Sequence, residues 1–322
     1  MMERVLEELK RHSSFLLCSH EPLDGDALGS ELGLQWLLRA LGKDVRIVNP
    51  GPVPARLAFL PRADEARHAA DDPGGSFDAF VGLDAGRRGR LHPVDEQITD
   101  GMPFFNIDHH DGNDEFGTVN WCDPRYGSTG EMVYDLIRLS GVPIEKDAAL
   151  PLYVAVLTDT GRFSFENTTP SAHEMAKALL GAGVDPGAVH RQLYRDKSLE
   201  HLRLEANAID RLRTTLDGRI AWTSLTEEMI ATCEDPTEVS DLVEIPSSLA
   251  GVEVALLFKN VPGKRGTHVS LRGLRDFRVN RFAGRFGGGG HPTAAGCRID
   301  ETLDRAQALV LEELERELGN GS

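Results

Sequence analysis

Residues 14–30 read Ser-Phe-Leu-Leu-Cys-Ser-His-Glu-Pro-Leu-Asp-Gly-Asp-Ala-Leu-Gly-Ser, and the character of the chain changes abruptly at His20. The apolar run 14–19 predicts a β-strand, because a short unbroken apolar segment bounded by turn residues fits a buried strand. From Ala27 onward, Leu28, Leu32, Leu34, Leu37, Leu38 and Leu41 recur at helical spacing up to Gly42, so a helix is expected over 27–41 with glycine as its C-cap. Asp26 stands where it could cap that helix. Residues 45–48 (Val-Arg-Ile-Val) supply the next strand and complete a βαβ unit. Such units imply a mostly parallel sheet covered by helices, with ligands bound at the carboxyl ends of the strands. The loop holding His20, Asp24 and Asp26 lies at such an end.

Two further strands are expected at 79–83 (Ala-Phe-Val-Gly-Leu), running into Asp84, and at 104–107 (Phe-Phe-Asn-Ile), running into Asp108-His109-His110. Any one of these polar residues alone is an ordinary loop carboxylate, helix cap or solvated histidine. Three strand ends delivering Asp and His to one sheet edge are a different matter. That many carboxylates in one place need a compensating cation, since unpaired buried carboxylates would take up protons instead. Imidazole and carboxylate without thiolate suit a divalent ion such as Mn²⁺, ahead of Mg²⁺, Co²⁺ or Zn²⁺.

Further along, Ser128-Thr-Gly-Glu131 has the pattern of a capping box opening an amphipathic helix. Residues 148–158 are apolar enough for a buried helix or a strand, and periodicity does not choose between them. Thr168-Thr169-Pro170 opens a helix to Gly181, a turn follows at 183–186, and the charge-rich stretch 191–213 reads as a helical connector. Beyond it a second domain is expected, with strands at 219–223, 252–258 and 268–271, a helix from Glu227 and a polar loop around Asp235-Pro236. A helix over 276–286 leads to Gly287-Gly288-Gly289-Gly290-His291, and a Leu/Glu-rich helix begins at Leu303. Four glycines can be a simple linker. Here they precede His291 and the small residues Ala294-Ala295-Gly296, a setting for close backbone approach in which N–H groups could cradle a phosphate. Between Lys259 and Arg298 nine Lys/Arg face a single acid, Asp276, which makes this the expected anion-binding part of the chain.

The 322 residues carry 35 Lys+Arg against 51 Asp+Glu, a net charge of −16, and are 40% hydrophobic. A soluble protein of two domains follows from these values. The acidic balance argues against coating long duplexes or an anionic membrane by bulk attraction. No apolar stretch approaches the ~20 residues of a membrane helix, and residues 1–12 lack the features of a signal peptide, so a cytoplasmic location is expected. Cys18, Cys122, Cys233 and Cys297 form no C-x-x-C pair and read as small buried hydrophobes.

In their order, His20-x-x-x-Asp24-x-Asp26-x-x-Gly29-Ser30, Asp84, Asp108-His109-His110 and Asp159 within Leu157-Thr-Asp-Thr-Gly161 resemble the four motifs of the DHH phosphoesterase superfamily. The tract 287–296 (Gly-Gly-Gly-Gly-His-Pro-Thr-Ala-Ala-Gly) resembles the signature of the associated DHHA1 domain. The resemblance implies an α/β protein with a DHH domain over 1–188, a helical linker over 189–213 and a smaller α/β DHHA1 domain over 214–322, with the active site in the cleft between them. It further implies two divalent ions, one held by His20, Asp24 and Asp84, the other by Asp26, Asp84, His109 and Asp159, with Asp84 shared. Asp108 and His110 would face the substrate or orient a neighbour, and Arg272, Gly288, Gly289, Gly290 and His291 would meet the substrate phosphate. Size and layout look most like the nano-RNase branch, which acts on short oligonucleotides and on the 3′-phosphate of adenosine 3′,5′-bisphosphate (pAp). A cyclic dinucleotide phosphodiesterase is the alternative, and a non-catalytic nucleotide sensor a more distant one. The DHHA1 signature argues against a family II pyrophosphatase, and a homodimer is left open. Two departures stand out: Gly273 replaces the Ser that relatives often carry after the arginine, and Arg125-Tyr126 precede Gly127-Ser128-Thr129 where relatives carry smaller residues, so that Tyr126 either stacks on a base or packs at a helix entrance.

Overall fold

The computed structural model describes residues 1–195, 197–233 and 236–319, and the chain divides into two compact units, Met1–Asp196 and Lys197–Ser322. The first contains α1 (Met2–Lys10), β1 (Ser14–Cys18), α2 (Gly25–Ala40), β2 (Asp44–Asn49), β3 (Ala66–His68), β4 (Ala79–Leu83), β5 (Phe104–Asp108) and β6 (Val119–Cys122). It continues with α3 (Thr129–Ser140), α4 (Lys146–Asp159), α5 (Pro170–Gly181) and α6 (Pro186–Tyr194). The six strands form one sheet in the order β3-β2-β1-β4-β5-β6, every pairing parallel. Strands β4 and β5 are buried along their whole length, as a parallel sheet covered on both faces requires. The strand order reverses between β1 and β4. At such a switch point the connecting loops diverge to opposite faces and leave a crevice, and the loops after β1 and β4 carry His20 and Asp84.

The four strands expected in this unit are present. The edge strands β3 and β6 were not anticipated: each has three or four residues, partly exposed and with polar members, too short for a periodic signal. Segment 148–158, ambiguous in sequence, lies within helix α4. It is buried on nearly all sides because it packs across α2. The contact depends on glycines four residues apart. A Cβ on Gly29 would strike the Pro151 carbonyl, one on Gly25 would strike Thr158, and one on Gly33 would stand 2.6 Å from Leu152 Cδ2. These pairings run the two helices in opposite directions and bring the end of α4, Asp159, to the start of α2, Asp26.

The second unit contains α7 (Leu199–Asp210), β7 (Arg213–Thr215), β8 (Ile220–Leu225), α8 (Glu227–Ile230), α9 (Glu244–Ser247), β9 (Val254–Lys259) and β10 (Thr267–Gly273). It closes with α10 (Val279–Gly284), β11 (Gly289–Gly290), β12 (Ala294–Ile299) and α11 (Leu303–Gly319). Its sheet has the order β11-β12-β10-β9-β8-β7, antiparallel except for β8 with β9. Helix α11 lays Ala306, Val310, Leu314 and Leu318 on this sheet, at the helical spacing seen in the sequence. The connector expected over 191–213 is not one helix: α6 ends at Tyr194 and α7 starts at Leu199, capped by Ser198. Asp235 of the expected polar loop lies outside the described residues. Among the described residues no helix is long and apolar enough to cross a membrane.

Candidate metal centre

The N-cap of helix α2 is Asp24, not Asp26. Asp24 Oδ1 accepts from the backbone N–H of Asp26 and Ala27 at 3.1 and 3.0 Å, the geometry of an N-cap. Asp26 is released from that role and turned inward, where it is 1% exposed. Its carboxylate takes the N–H of Thr129 at 2.7 Å and of Gly130 at 2.8 Å, so it lies against the N-terminus of α3, the positive end of that helix. The Ser128 hydroxyl accepts from Glu131 N–H at 3.0 Å as the capping box requires. Glu131 reaches one residue further back than expected, to Gly127 N–H at 2.9 Å.

Asp84, just after β4, has a left-handed backbone with φ 55° and a side chain that is nearly buried. A non-glycine residue in this region carries strain of roughly 1–3 kcal/mol and persists only where its surroundings hold it. Its two oxygens face different partners. Oδ2 is 3.3 Å from His20 Nε2, while Oδ1 is 3.6 Å from both His109 Nε2 and His110 Nδ1. Around Oδ2, His20 Nε2 is also 3.5 Å from Asp24 Oδ2. Around Oδ1, His109 Nε2 is 3.7 Å from Asp26 Oδ2 and 3.3 Å from Asp159 Oδ2. Two of these sets, His20 with Asp24 and Asp84, and Asp26 with His109 and Asp159, each place their ligand atoms within 4.8 Å of one another.

These separations fit a divalent cation. Two ligand atoms each ~2.0–2.2 Å from one ion stand roughly 3–3.5 Å apart, longer than a good hydrogen bond and close to what is seen. Electrostatics point the same way. Burial, with the neighbouring Asp84 charge, raises Asp26 and Asp159 well above the ordinary carboxylate range. Asp84 is held well below it, because His20, His110 and His109 outweigh its burial. His20, opposed by burial and by Arg90, is nonetheless raised to about 9 by Asp24 and Asp84. In the metal-free protein the site balances its charge with protons, and a cation would displace them.

Surrounding groups fix the ring orientations. His109 Nδ1 stands 3.2 Å from the Tyr126 carbonyl, which leaves Nε2 for a metal. His110 Nδ1 meets Asp108 Oδ1 at 2.7 Å, and Asn113 donates to the other oxygen of Asp108. Asp108 is thus the group that orients His110. The Tyr126 ring packs edge-on against Trp121 and its hydroxyl meets Asp135 at 3.3 Å, so it is a packed residue at the helix entrance rather than a stacking platform. Several contributors were not singled out in the sequence: Thr129, whose hydroxyl donates to Asp84 at 3.0 Å; Asn167, which donates to Asp159; and Arg90, a half-buried guanidinium whose pKa is lowered by desolvation, offset by Asp84, Asp24 and Asp108. Arg90 follows Asp84 by six residues, and only that proximity in sequence hinted at it.

In the second unit the residues expected to meet phosphate share one end of the sheet. Arg272 pairs in register with Ala294, and His291 closes a turn with Ala294 through bonds of 2.7 and 3.2 Å. The glycine tract is a strand rather than a linker, since Gly289 and Gly290 pair with Gly296 and Ala295. A Cβ on Gly288 would strike the Gly296 carbonyl, so the close approach is made to β12. Gly273 has a similar cause, because a side chain there would run into the Phe277 carbonyl. The basic segment is not a single open face. Arg272 Nε is paired with Glu244 at 3.0 Å, Arg275 lies 3.7 Å from Glu253, Arg285 bonds Glu317 at 2.9 Å, and Lys259 is buried against Ser240. Acids distant in sequence are brought onto it, which counting within one segment does not reveal.

Comparison with known proteins accords with this geometry. Residues 14–156 match the model of the DHH family, N-terminal domain, and residues 227–319 that of the DHHA1 domain. The bifunctional oligoribonuclease and PAP phosphatase NrnA of Thermus thermophilus is 33% identical over 98% of this chain and 94% of its own length. The Bacillus subtilis protein of the same name is 25% identical over 97% of each chain. The crystal structure of an exopolyphosphatase-related protein from Bacteroides fragilis superposes with a TM-score of 0.87 at 26% identity, covering 98% of this chain and 95% of that one. With the motifs, the sheet order and these relatives in agreement, the chain belongs to the DHH family and is a metal-dependent phosphoesterase with a DHHA1 domain in its second unit.

Proposed function

We propose that this protein uses two Mn²⁺ ions to hydrolyse short oligonucleotides to mononucleotides and to remove the 3′-phosphate of pAp. The observation that carries this reading is the division of Asp84, one oxygen toward His20 and the other toward His109. A carboxylate divided in this way could serve two divalent ions at once. The names of the Thermus thermophilus and Bacillus subtilis relatives support the choice of substrates.

His20, Asp24 and Asp84 would hold one ion, and Asp26, Asp84, His109 and Asp159 the other. When bound, such ions lower the pKa of a water and neutralise charge developing on the phosphoryl oxygens. The protein's own part is positioning. Thr129 and the start of α3 fix Asp84 and Asp26, the Tyr126 carbonyl fixes His109, and Asp108 accepts from His110 Nδ1–H, so that in its imidazolium form His110 could donate from Nε2 to a phosphoryl oxygen. Arg272, the backbone of Gly288, Gly289 and Gly290, and His291 would hold the substrate phosphate. For Arg272 this means exchanging Glu244 for the phosphate.

The reading is tested with purified protein and Mn²⁺, offered pAp, a diribonucleotide, a long oligomer, cyclic di-AMP and pyrophosphate at equal concentration. Fastest release from pAp and the diribonucleotide is expected. Preference for cyclic di-AMP would replace the reading with a cyclic dinucleotide phosphodiesterase, and binding without turnover would replace it with a nucleotide sensor.

A further inference from the structure

Behind His20 lies a row of fully buried polar side chains that the two metal-ligand sets do not use. Asn49, at the end of β2, accepts at Oδ1 from Ser19 N–H at 2.9 Å and from the Ser19 hydroxyl at 3.2 Å. Its Nδ2 donates at 2.9 Å to Oε2 of Glu31, on the second turn of α2. Because Nδ2 faces a carboxyl group, the orientation of the Asn49 amide is set by its partners. Ser19, Glu31 and Asn49 are each 0–1% exposed. Glu31 Oε1 and His20 Nδ1 are both buried and without a hydrogen-bond partner. A carboxyl group in an apolar interior is costly, and one left with an idle oxygen costs more, so packing alone does not account for Glu31. A histidine that binds a metal through Nε2 carries a proton on Nδ1, and that proton needs an acceptor.

We propose that Glu31 is a positioning residue for His20. Through Asn49 it anchors Ser19, the residue from which His20 departs, and its second oxygen receives the His20 Nδ1 proton through one bridging water, so that Nε2 is presented to the metal. Glu31 and His20 are near enough for their charges to interact, and a water between these two buried atoms without partners would satisfy both. This inference rests on reading His20 as a metal ligand. It adds a residue outside the two ligand sets and the reason for its burial.

The test is a Mn²⁺ titration of full-length protein, followed calorimetrically and by electron paramagnetic resonance, on wild type, Glu31→Gln and Glu31→Leu, with thermal melts of the metal-free forms. Glutamine offers one acceptor where the site needs two, and leucine offers none. Binding at one of the two sites should weaken by about 10-fold for Glu31→Gln and up to about 100-fold for Glu31→Leu, the range typical for groups that orient metal ligands. The other site should be unchanged. The metal-free melting temperature should hold in Glu31→Gln, whose amide oxygen can still accept from Asn49 Nδ2, and fall in Glu31→Leu, which leaves that donor buried without an acceptor. A merely structural role would leave metal affinity alone in both variants. Wild-type affinity at both sites in Glu31→Gln overturns the inference even if Glu31→Leu fails to fold. A wild-type protein that binds no Mn²⁺ overturns the two-metal reading together with it.

Discussion

At the scale of single residues, two side chains of opposite charge govern the site. Asp84 serves both ligand sets, so Asp84→Ala should lose both metal sites and reduce turnover by at least about 10³-fold, the scale of removing electrostatic stabilisation from a reacting centre. Metal content by mass spectrometry together with pAp turnover measures this, and full activity in Asp84→Ala would be incompatible with the mechanism. Arg90 is the counterpart, a half-buried cation near Asp84, Asp24 and Asp108. Arg90→Leu leaves carboxylates without their compensating charge and should lower the melting temperature of the metal-free protein, with much of the loss restored by excess Mn²⁺. Melting curves with and without metal decide it. If the variant loses equal stability in both, Arg90 contributes by packing alone.

Elements come next, and here the sequence was most informative in the strands and least in what brings them together. The runs at 79–83 and 104–107 are legible because a strand buried on both faces must be continuously apolar. His20, Asp84 and His109 could be named because each follows such a run. Asp24 and Asp26 were both named as ligands, with Asp26 also a candidate cap; the cap falls to Asp24, because the packing of α3 against Asp26 holds that carboxylate inward. The glycine spacing at 25, 29 and 33 was visible, but its meaning lies in the partner helix. Gly29→Ala forces α2 away from the Pro151 carbonyl and should cost about 1–3 kcal/mol, the usual penalty of overpacking. It should also weaken Mn²⁺ at the set containing Asp26 and Asp159. Denaturant unfolding and metal titration on the same variant report the two effects, and lost stability with unchanged metal binding would show that helix spacing does not control the site.

For the whole molecule, the relevant quantity is pH. In the metal-free protein His20 is raised to about 9, so the stability it contributes is complete below its unfolded value near 6.5 and is lost as pH rises toward 9. Glu31, raised by burial to about 8, and Asp26 and Asp159, raised by burial and neighbouring charge, act in the same direction, because ionising them in the fold costs more than in the open chain. Metal-free protein should therefore melt at lower temperature at pH 9 than at pH 6.5. Mn²⁺ should bind more tightly over that interval and release protons, countable by calorimetry in buffers of different ionisation heat. A metal-free melting temperature that rises across the interval would contradict this balance. The net charge of −16 looks different in this light. Part of it belongs to ligand carboxylates that cations would neutralise, and part of the basic segment is already answered by Glu244, Glu253 and Glu317.

The pair of N–H groups that Asp26 receives from Thr129 and Gly130 makes the start of α3 a built-in gauge of occupancy. If a cation draws on that carboxylate, these two amide protons should sense it most strongly, through chemical shift and through their exchange with deuterium. In isotope-labelled protein titrated with diamagnetic Mg²⁺ in place of Mn²⁺, the Thr129 and Gly130 resonances should shift further than those of the rest of α3, so loading could be followed without any substrate present.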